Sequence, residues 1–286
     1  MKKVILPFIL LFVLSGTILS QSIYLRAGTG YGLPVATSVI GEKYLRTYDP
    51  ANTANPNSYS TKVVSASYGA GMNFNFAVGY KFNENLIFDL NVQYLSGSKF
   101  ETSDTYNELG SFAGTEKTTN TTSAKGFLFN PAFVFSAGFG KAAPYGRFGI
   151  IVSSPTITDN ESYYYDLDGT DTRDRTWVYN KGMGLGYQAA IGMNWKLSDK
   201  MDLYTEANFV SMTFYPTEGN MTKNIYNGND LLAQQPVYQK QIQFEKSYDP
   251  ELTYDPDKPR VEAIRSYAFS SVSVQVGIRF SIWKKA

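Results

Sequence analysis

From Met72 to Val92 the chain alternates residue by residue between two unlike sets of side chains. Met72, Phe74 and Phe76 stand on one parity and Asn73 and Asn75 on the other; after Asn83-Glu84-Asn85 the pattern resumes with Phe88, Leu90 and Val92 opposite Asp89 and Asn91. A second copy of the design runs from Tyr187 through Ser198-Asp199-Lys200 to Phe209. A period of two is that of a strand, and a strand with one greasy and one wet face belongs to a sheet with two different environments. Two alternating runs joined by a short polar turn form a hairpin.

The same pattern predicts eight strands: Ile23 to Leu33, Tyr68 to Phe82, Leu86 to Leu95, Phe127 to Phe139, Tyr145 to Ser153, Gly184 to Leu197, Met201 to Met212 and Ser271 to Ile282. Their apolar parity carries large rings, such as Phe127, Phe129, Phe133 and Phe135, while the polar parity carries Gly, Asn, Ser and a few charges. A soluble sandwich would place Lys, Glu and Thr on its outer face and has little reason to use glycine there. Glycine suits the crowded inside of a narrow barrel, which turns the rings outward to lipid. Connections after the second, fourth and sixth strands are short, and the other four are long, about 34–64, 97–125, 154–183 and 213–265. Short turns at one end and long loops at the other are the outer-membrane pattern. The expected fold is therefore an all-β, eight-stranded antiparallel transmembrane barrel, an up-and-down meander whose long extracellular loops extend partly as hairpins. Glu116 to Thr122, Thr176 to Tyr179, and Val237 to Lys246 with Val261 to Phe269 are the flanks expected to extend it, with no helix after Ser20. In Val237 to Lys246, Lys240 shares the parity of Tyr238, Ile242 and Phe244, which argues against a further spanning pair, since a mid-bilayer lysine costs about 2–4 kcal/mol.

Residues 1–20 read as an export signal: Lys2 and Lys3, an apolar run from Val4 to Leu14, then small and polar residues, with cleavage expected near Ser20 and Gln21. The run is too short to span a bilayer, and no later segment approaches the roughly 20 apolar residues a spanning helix needs. The chain has no cysteine, which excludes a disulfide scaffold and a lipid anchor, and its net charge of +1 offers no basic field for nucleic acid. Its 22 Tyr and 19 Phe suit rings placed at a lipid-water boundary. Residues 21–286 are expected to form one barrel domain in the cell outer membrane of a Gram-negative bacterium.

The opening Tyr24-Leu25-Arg26-Ala27-Gly28-Thr29-Gly30-Tyr31-Gly32, the hairpin Gly79-Tyr80-Lys81-Phe82 through Leu86-Ile87-Phe88-Asp89-Leu90, and the closing Val276-Gly277-Ile278-Arg279-Phe280 resemble the small outer-membrane barrels of the OmpA-like or OmpX-like class found in Bacteroidetes-type bacteria. The resemblance implies insertion by the barrel assembly machinery and contact with outer-membrane lipid. Barrels of this class usually end on an aromatic residue, whereas this chain continues with Ser281 to Ala286, so its insertion signal is either Trp283 or internal. The enzymes built on such barrels rely on a histidine base, and this chain contains none.

The lumen parity holds Arg26, Lys81, Asp89, Arg147, Lys196, Asp202, Glu206 and Arg279. Side chains fill an eight-stranded barrel, and buried charges persist only in pairs, so Arg147 is expected to pair with Glu206, and Arg26 or Arg279 with Asp89. Asp166, Asp168 and Asp171 have the spacing of a calcium loop but lack its closing glutamate, where Trp177 stands; Ca²⁺ is the one cofactor to consider. Loop tyrosines, among them Tyr44, Tyr48, Tyr59, Tyr106, Tyr163, Tyr164, Tyr165, Tyr226, Tyr238, Tyr248 and Tyr254, suit recognition of an extracellular protein or glycan, or else pack against one another. The expected role is non-enzymatic, structural or surface-interacting, with a narrow channel and a membrane-embedded lipid-modifying enzyme or protease as the alternatives.

Overall fold

A computed structural model describes residues 22–110, 113–137, 141–247 and 254–284. The predicted export signal, the end of the fourth predicted strand at Gly138 and Phe139, and Tyr248 lie outside them. In chain order the strands are β1 (Ser22–Pro34), β2 (Ser38–Tyr48), β3 (Asn57–Ala66), β4 (Gly71–Lys81), β5 (Leu86–Gly97), β6 (Phe100–Glu108), β7 (Gly114–Ser136), β8 (Ala142–Ser153) and β9 (Thr156–Tyr165). There follow β10 (Asp171–Asn180), β11 (Met183–Lys196), β12 (Met201–Tyr215), β13 (Glu218–Tyr226), β14 (Asn229–Asp230), a helical turn α1 (Val237–Lys240), β15 (Gln241–Glu245), β16 (Arg260–Ala263), β17 (Tyr267–Ala268) and β18 (Ser271–Lys284).

Eight of these close into an antiparallel barrel in the order β1-β4-β5-β7-β8-β11-β12-β18, with β18 returning to β1. Each matches one of the eight predicted strands. The last continues past Phe280 to Lys284, so Ser281 and Ile282 belong to the wall and not to a tail. At one end the turns are tight: Asn83 Oδ1 accepts from the backbone N–H of Asn85 at 2.9 Å and of Leu86 at 2.8 Å, closing β4 onto β5. Between β11 and β12 the N–H groups of Leu197 and Ser198 both donate to the Met201 carbonyl, at 3.0 and 2.9 Å.

At the other end the connections build a crown. Its strands run β3-β2-β6-β7-β9-β10-β13-β15-β16, carried on the upper half of the 23-residue β7. The expected hairpin extension is thus present in part. Two junctions differ from it: β2 beside β6 and β15 beside β16 are parallel. The β2–β3 ribbon gives no clean alternation because neither face is deeply buried. Val237 to Lys240 is helical, against the expectation of strand from Val237 and of no helix after the export signal. Pro236 explains the change, since its fixed φ of −63° and absent N–H suit the position just before a helical turn.

The faces of the wall sort as their parity predicts. Phe74, Phe76, Leu90, Phe129, Phe148, Ile150, Ile191, Val274 and Ile278 are exposed on the outside, and Asn73, Asn75, Asp89, Asn91, Asn130, Gln188, Asn208 and Gln275 are buried within. Glycine makes room there for tyrosine. A Cβ at Gly79 would lie 2.0 Å from the Tyr24 ring, at Gly28 2.1 Å from the Tyr204 hydroxyl, and at Gly192 2.5 Å from the Tyr145 ring.

Candidate functional site

The lumen is layered from the turn end to the crown. At the mouth, Arg279 donates to Asp202 Oδ2 from Nη2 at 2.6 Å and from Nε at 2.9 Å, and Lys196 meets Asp199 at 2.8 Å. Lys81 lines the same mouth. Next come Tyr24, Ile87, Val134 and Tyr145, a small apolar cluster whose two hydroxyls face upward into the charges.

The charges form a chain with Glu206 at its hub. The Tyr24 hydroxyl donates to Asp89; Arg26 Nη2 lies 3.3 Å from Asp89 and its Nη1 donates to Glu206 Oε2 at 3.2 Å; Tyr145 donates to the same oxygen at 2.9 Å; and Arg147 donates to Glu206 Oε1. Arg26 also rests over the Tyr204 ring, 5.0 Å from its centroid. Two cations thus face two carboxylates, all with side chains at most 4% exposed. The structure brings Arg26, Asp89, Arg147 and Glu206 together, and selects Arg26 over Arg279 as the partner of Asp89. Arg279 is a correction to the predicted network: it stands a layer lower with Asp202 because it is paired across the wall with the first turn-end residues of β12.

Above the charges is a layer of amides. Tyr204 donates to Asn75 Oδ1 at 2.7 Å, Asn75 donates to Gln275 at 3.0 Å, Gln188 donates to Asn208 at 2.7 Å, and Asn208 donates to the Ser273 hydroxyl at 3.3 Å. An apolar plug follows, with Leu95, Leu128, Ile151, Val210, Met212, Phe214 and Phe269 all buried.

Beyond the plug, inside the crown, a cavity of about 290 Å³ remains. Tyr68, Tyr179 and Tyr267 wall it, with Tyr68 and Tyr267 centroids 5.5 Å apart and Tyr179 and Tyr267 6.2 Å apart. Asp159 of β9 faces it, accepting from Thr122 Oγ1 at 2.9 Å, and burial holds its carboxyl above the usual carboxylate range. Burial likewise pushes all three phenols up. Sequence reasoning missed this cavity; its one available signal is that Asp159 shares a parity with Ile157, which is fully buried.

The predicted calcium loop is not assembled. Asp166 accepts from the Thr115 N–H at 2.5 Å and from the Tyr164 hydroxyl at 2.8 Å, the first of which holds its carboxyl below the usual range. Asp171 accepts from Asn227 at 2.6 Å, and Asp168 hydrogen-bonds with Tyr165. The three carboxylates tie different segments, and no group of three metal-ligating side chains forms among the described residues. The loop tyrosines largely engage one another or arginines: Tyr44 packs on Tyr59 at 6.4 Å, Tyr238 on Tyr254 at 4.7 Å, Arg46 lies over Tyr106 at 5.1 Å and Arg173 over Tyr163 at 5.3 Å. Tyr59 and Tyr254 still expose most of their surface.

No protein-family model and no curated protein matches the chain.

Proposed function

We propose that the chain is an outer-membrane barrel of the OmpA-like or OmpX-like class, exported by residues 1–20, and that it serves a non-enzymatic, structural or surface-interaction role through its crown. The observation that carries this reading is the girdle of exposed apolar side chains on all eight wall strands, with Ile191 72% and Val274 71% exposed. In water such a girdle far exceeds the apolar patch a monomer tolerates, whereas lipid covers it without cost. The polar crown with its partly exposed tyrosines belongs outside the cell and the tight turns belong in the periplasm. There the crown is available to an extracellular protein or glycan. Absence of histidine and cysteine from the sequence, and the engagement of both buried carboxylates by arginine, support a non-catalytic lumen.

Because the chain has no native cysteine, single reporters can be placed cleanly. Ser60→Cys in β3 and Glu84→Cys at a turn are both exposed. On intact cells a membrane-impermeant maleimide should label the first and leave the second until the outer membrane is permeabilised. The unboiled protein should also migrate differently from the boiled one on an SDS gel. Labelling of Glu84→Cys alone on intact cells, or recovery of the protein in the soluble fraction, defeats the proposal.

A further inference from the structure

The crown cavity has an unusual electrostatic condition. Asp159 is half-buried and accepts one hydrogen bond, from Thr122, but no cation lies within ion-pair distance of it among the described residues. Its neighbour on the same face of β9, Glu161, is bridged by Arg173 at 3.2 Å and Arg175 at 3.7 Å. Arg265 lines the same cavity: its guanidinium meets Glu262 at 2.5 Å, lies over the Phe244 ring, 5.4 Å from the centroid, and hydrogen-bonds with Tyr267, so its charge acts on Asp159 without ion-pair contact and is shared with Glu262. What faces the cavity is therefore a carboxylate with no directly paired cation, set among three tyrosine rings. In the lumen Asp89 and Glu206 are each in contact with arginine; Asp159 has no such contact among the described residues.

We propose that the cavity binds a small organic ammonium ion, with Tyr68, Tyr179 and Tyr267 against its alkyl surface and Asp159 as its counter-ion. Aromatic faces attract such cations through the negative face of the ring, more strongly where water is excluded. About 290 Å³ admits a cation of a few methyl or methylene groups. A neutral sugar of similar size would find hydroxyl partners but would leave the Asp159 charge uncompensated, at continuing cost. The apolar plug forms the floor, so the ligand enters and leaves on the crown side, past the exposed Ser38 and Val39. Only the side of the membrane from which it arrives rests on the function proposed above.

The test uses the full-length barrel folded in detergent, its folded state verified by the gel shift, and titrated calorimetrically with choline and with dimethylbutanol, choline's uncharged isostere. Choline should bind saturably, with dimethylbutanol weaker by roughly tenfold or more, and Asp159→Asn should weaken choline by a similar factor while leaving dimethylbutanol unchanged. Tyr267→Leu should weaken both. Equal affinity for the two probes, choline binding unaffected by Asp159→Asn, or no binding by protein that shows the gel shift each overturn the inference. Failure of the gel shift itself would instead count against the membrane barrel.

Discussion

Glu206→Ala should be the most damaging single substitution in the lumen. Glu206 is the one acceptor shared by Arg26 and Arg147, and also receives the Tyr145 hydroxyl. Its removal leaves Arg147 with no carboxylate and Arg26 with Asp89 alone, in a layer shut off by Tyr24, Ile87, Val134 and Tyr145 below and by amides above. Breaking one member out of a buried ion pair costs about 3–5 kcal/mol, chiefly through the charge left behind. The structure places this protein toward the upper part of that range, because Arg147 Nε and Nη1 already lack hydrogen-bond partners and have nothing to turn to. Urea unfolding of the barrel in lipid vesicles, followed by tryptophan fluorescence and by the gel shift, measures the loss. The double variant Glu206→Met with Arg147→Met removes one charge of each sign and keeps the Arg26–Asp89 pair, so it should be less destabilised than Glu206→Met alone. If Glu206→Ala lies within about 1 kcal/mol of the parent, or the double variant is no better than the single, the cluster is hydrated or unpaired in the folded barrel and the lumen is not sealed into layers.

Other substitutions probe the wall, its packing and the crown. Phe148→Lys, on the exposed face at the middle of β8, should cost about 2–4 kcal/mol in the same vesicle assay, while Ser60→Lys on β3 should stay within about 0.5 kcal/mol. Gly79→Ala drives a Cβ into the Tyr24 ring and should cost about 1–3 kcal/mol, less in a Tyr24→Leu background because the ring atom in the way is gone. Asp159 has its folded-state pKa raised by burial, with Glu161 acting in the same direction and Thr122 and Arg265 opposing. Its ionised form is thus penalised in the native state, and its contribution to stability falls as pH rises through that elevated pKa. Asp159→Asn should accordingly melt higher than the parent at neutral pH without ligand, and the two should converge on acidification.

How much of this was legible in the sequence depended on whether a segment has two faces. Each of the eight wall strands separates outward apolar from inward polar residues, so alternation in Phe127 to Phe135 or Val272 to Phe280 locates the strand and orients it. Glycine on the polar parity marks the inside because Gly28, Gly79 and Gly192 lie under tyrosines. The crown carries a weaker signal: β3 is exposed on both sides, so Ser58 to Val63 show no period, and parallel pairing of β2 with β6 joins segments separated by three other strands. The Arg147–Glu206 pair followed from parity and charge alone. Choosing Arg26 over Arg279 for Asp89 required the stagger between strands, which no local pattern reveals. The carboxylates of the Asp166 loop had the spacing of a metal site but met backbone and hydroxyl donors first.

The two kinds of buried carboxylate in this chain answer to different constraints. Because side chains alternate with a period of two, a slip of one residue in a wall strand would turn its member of the set Arg26, Asp89, Arg147 and Glu206 from the lumen to the apolar outer face. There each charge would be separated from its partner and placed among the apolar side chains of the outer face, so the network penalises every such misregister even if an apolar core of equal volume would be as stable. Self-neutralisation is what that task requires: two arginines and two carboxylates, balanced within the chain. Asp159 has no comparable task. β9 sits in the crown, where water reaches the alternative face, and a slip there exposes the carboxylate to solvent, which lowers its free energy. A residue that disfavours its own register and has no directly paired cation among the described residues fits the bound ammonium ion proposed above, and the ring-walled cavity beside it gives that ligand a size and a charge.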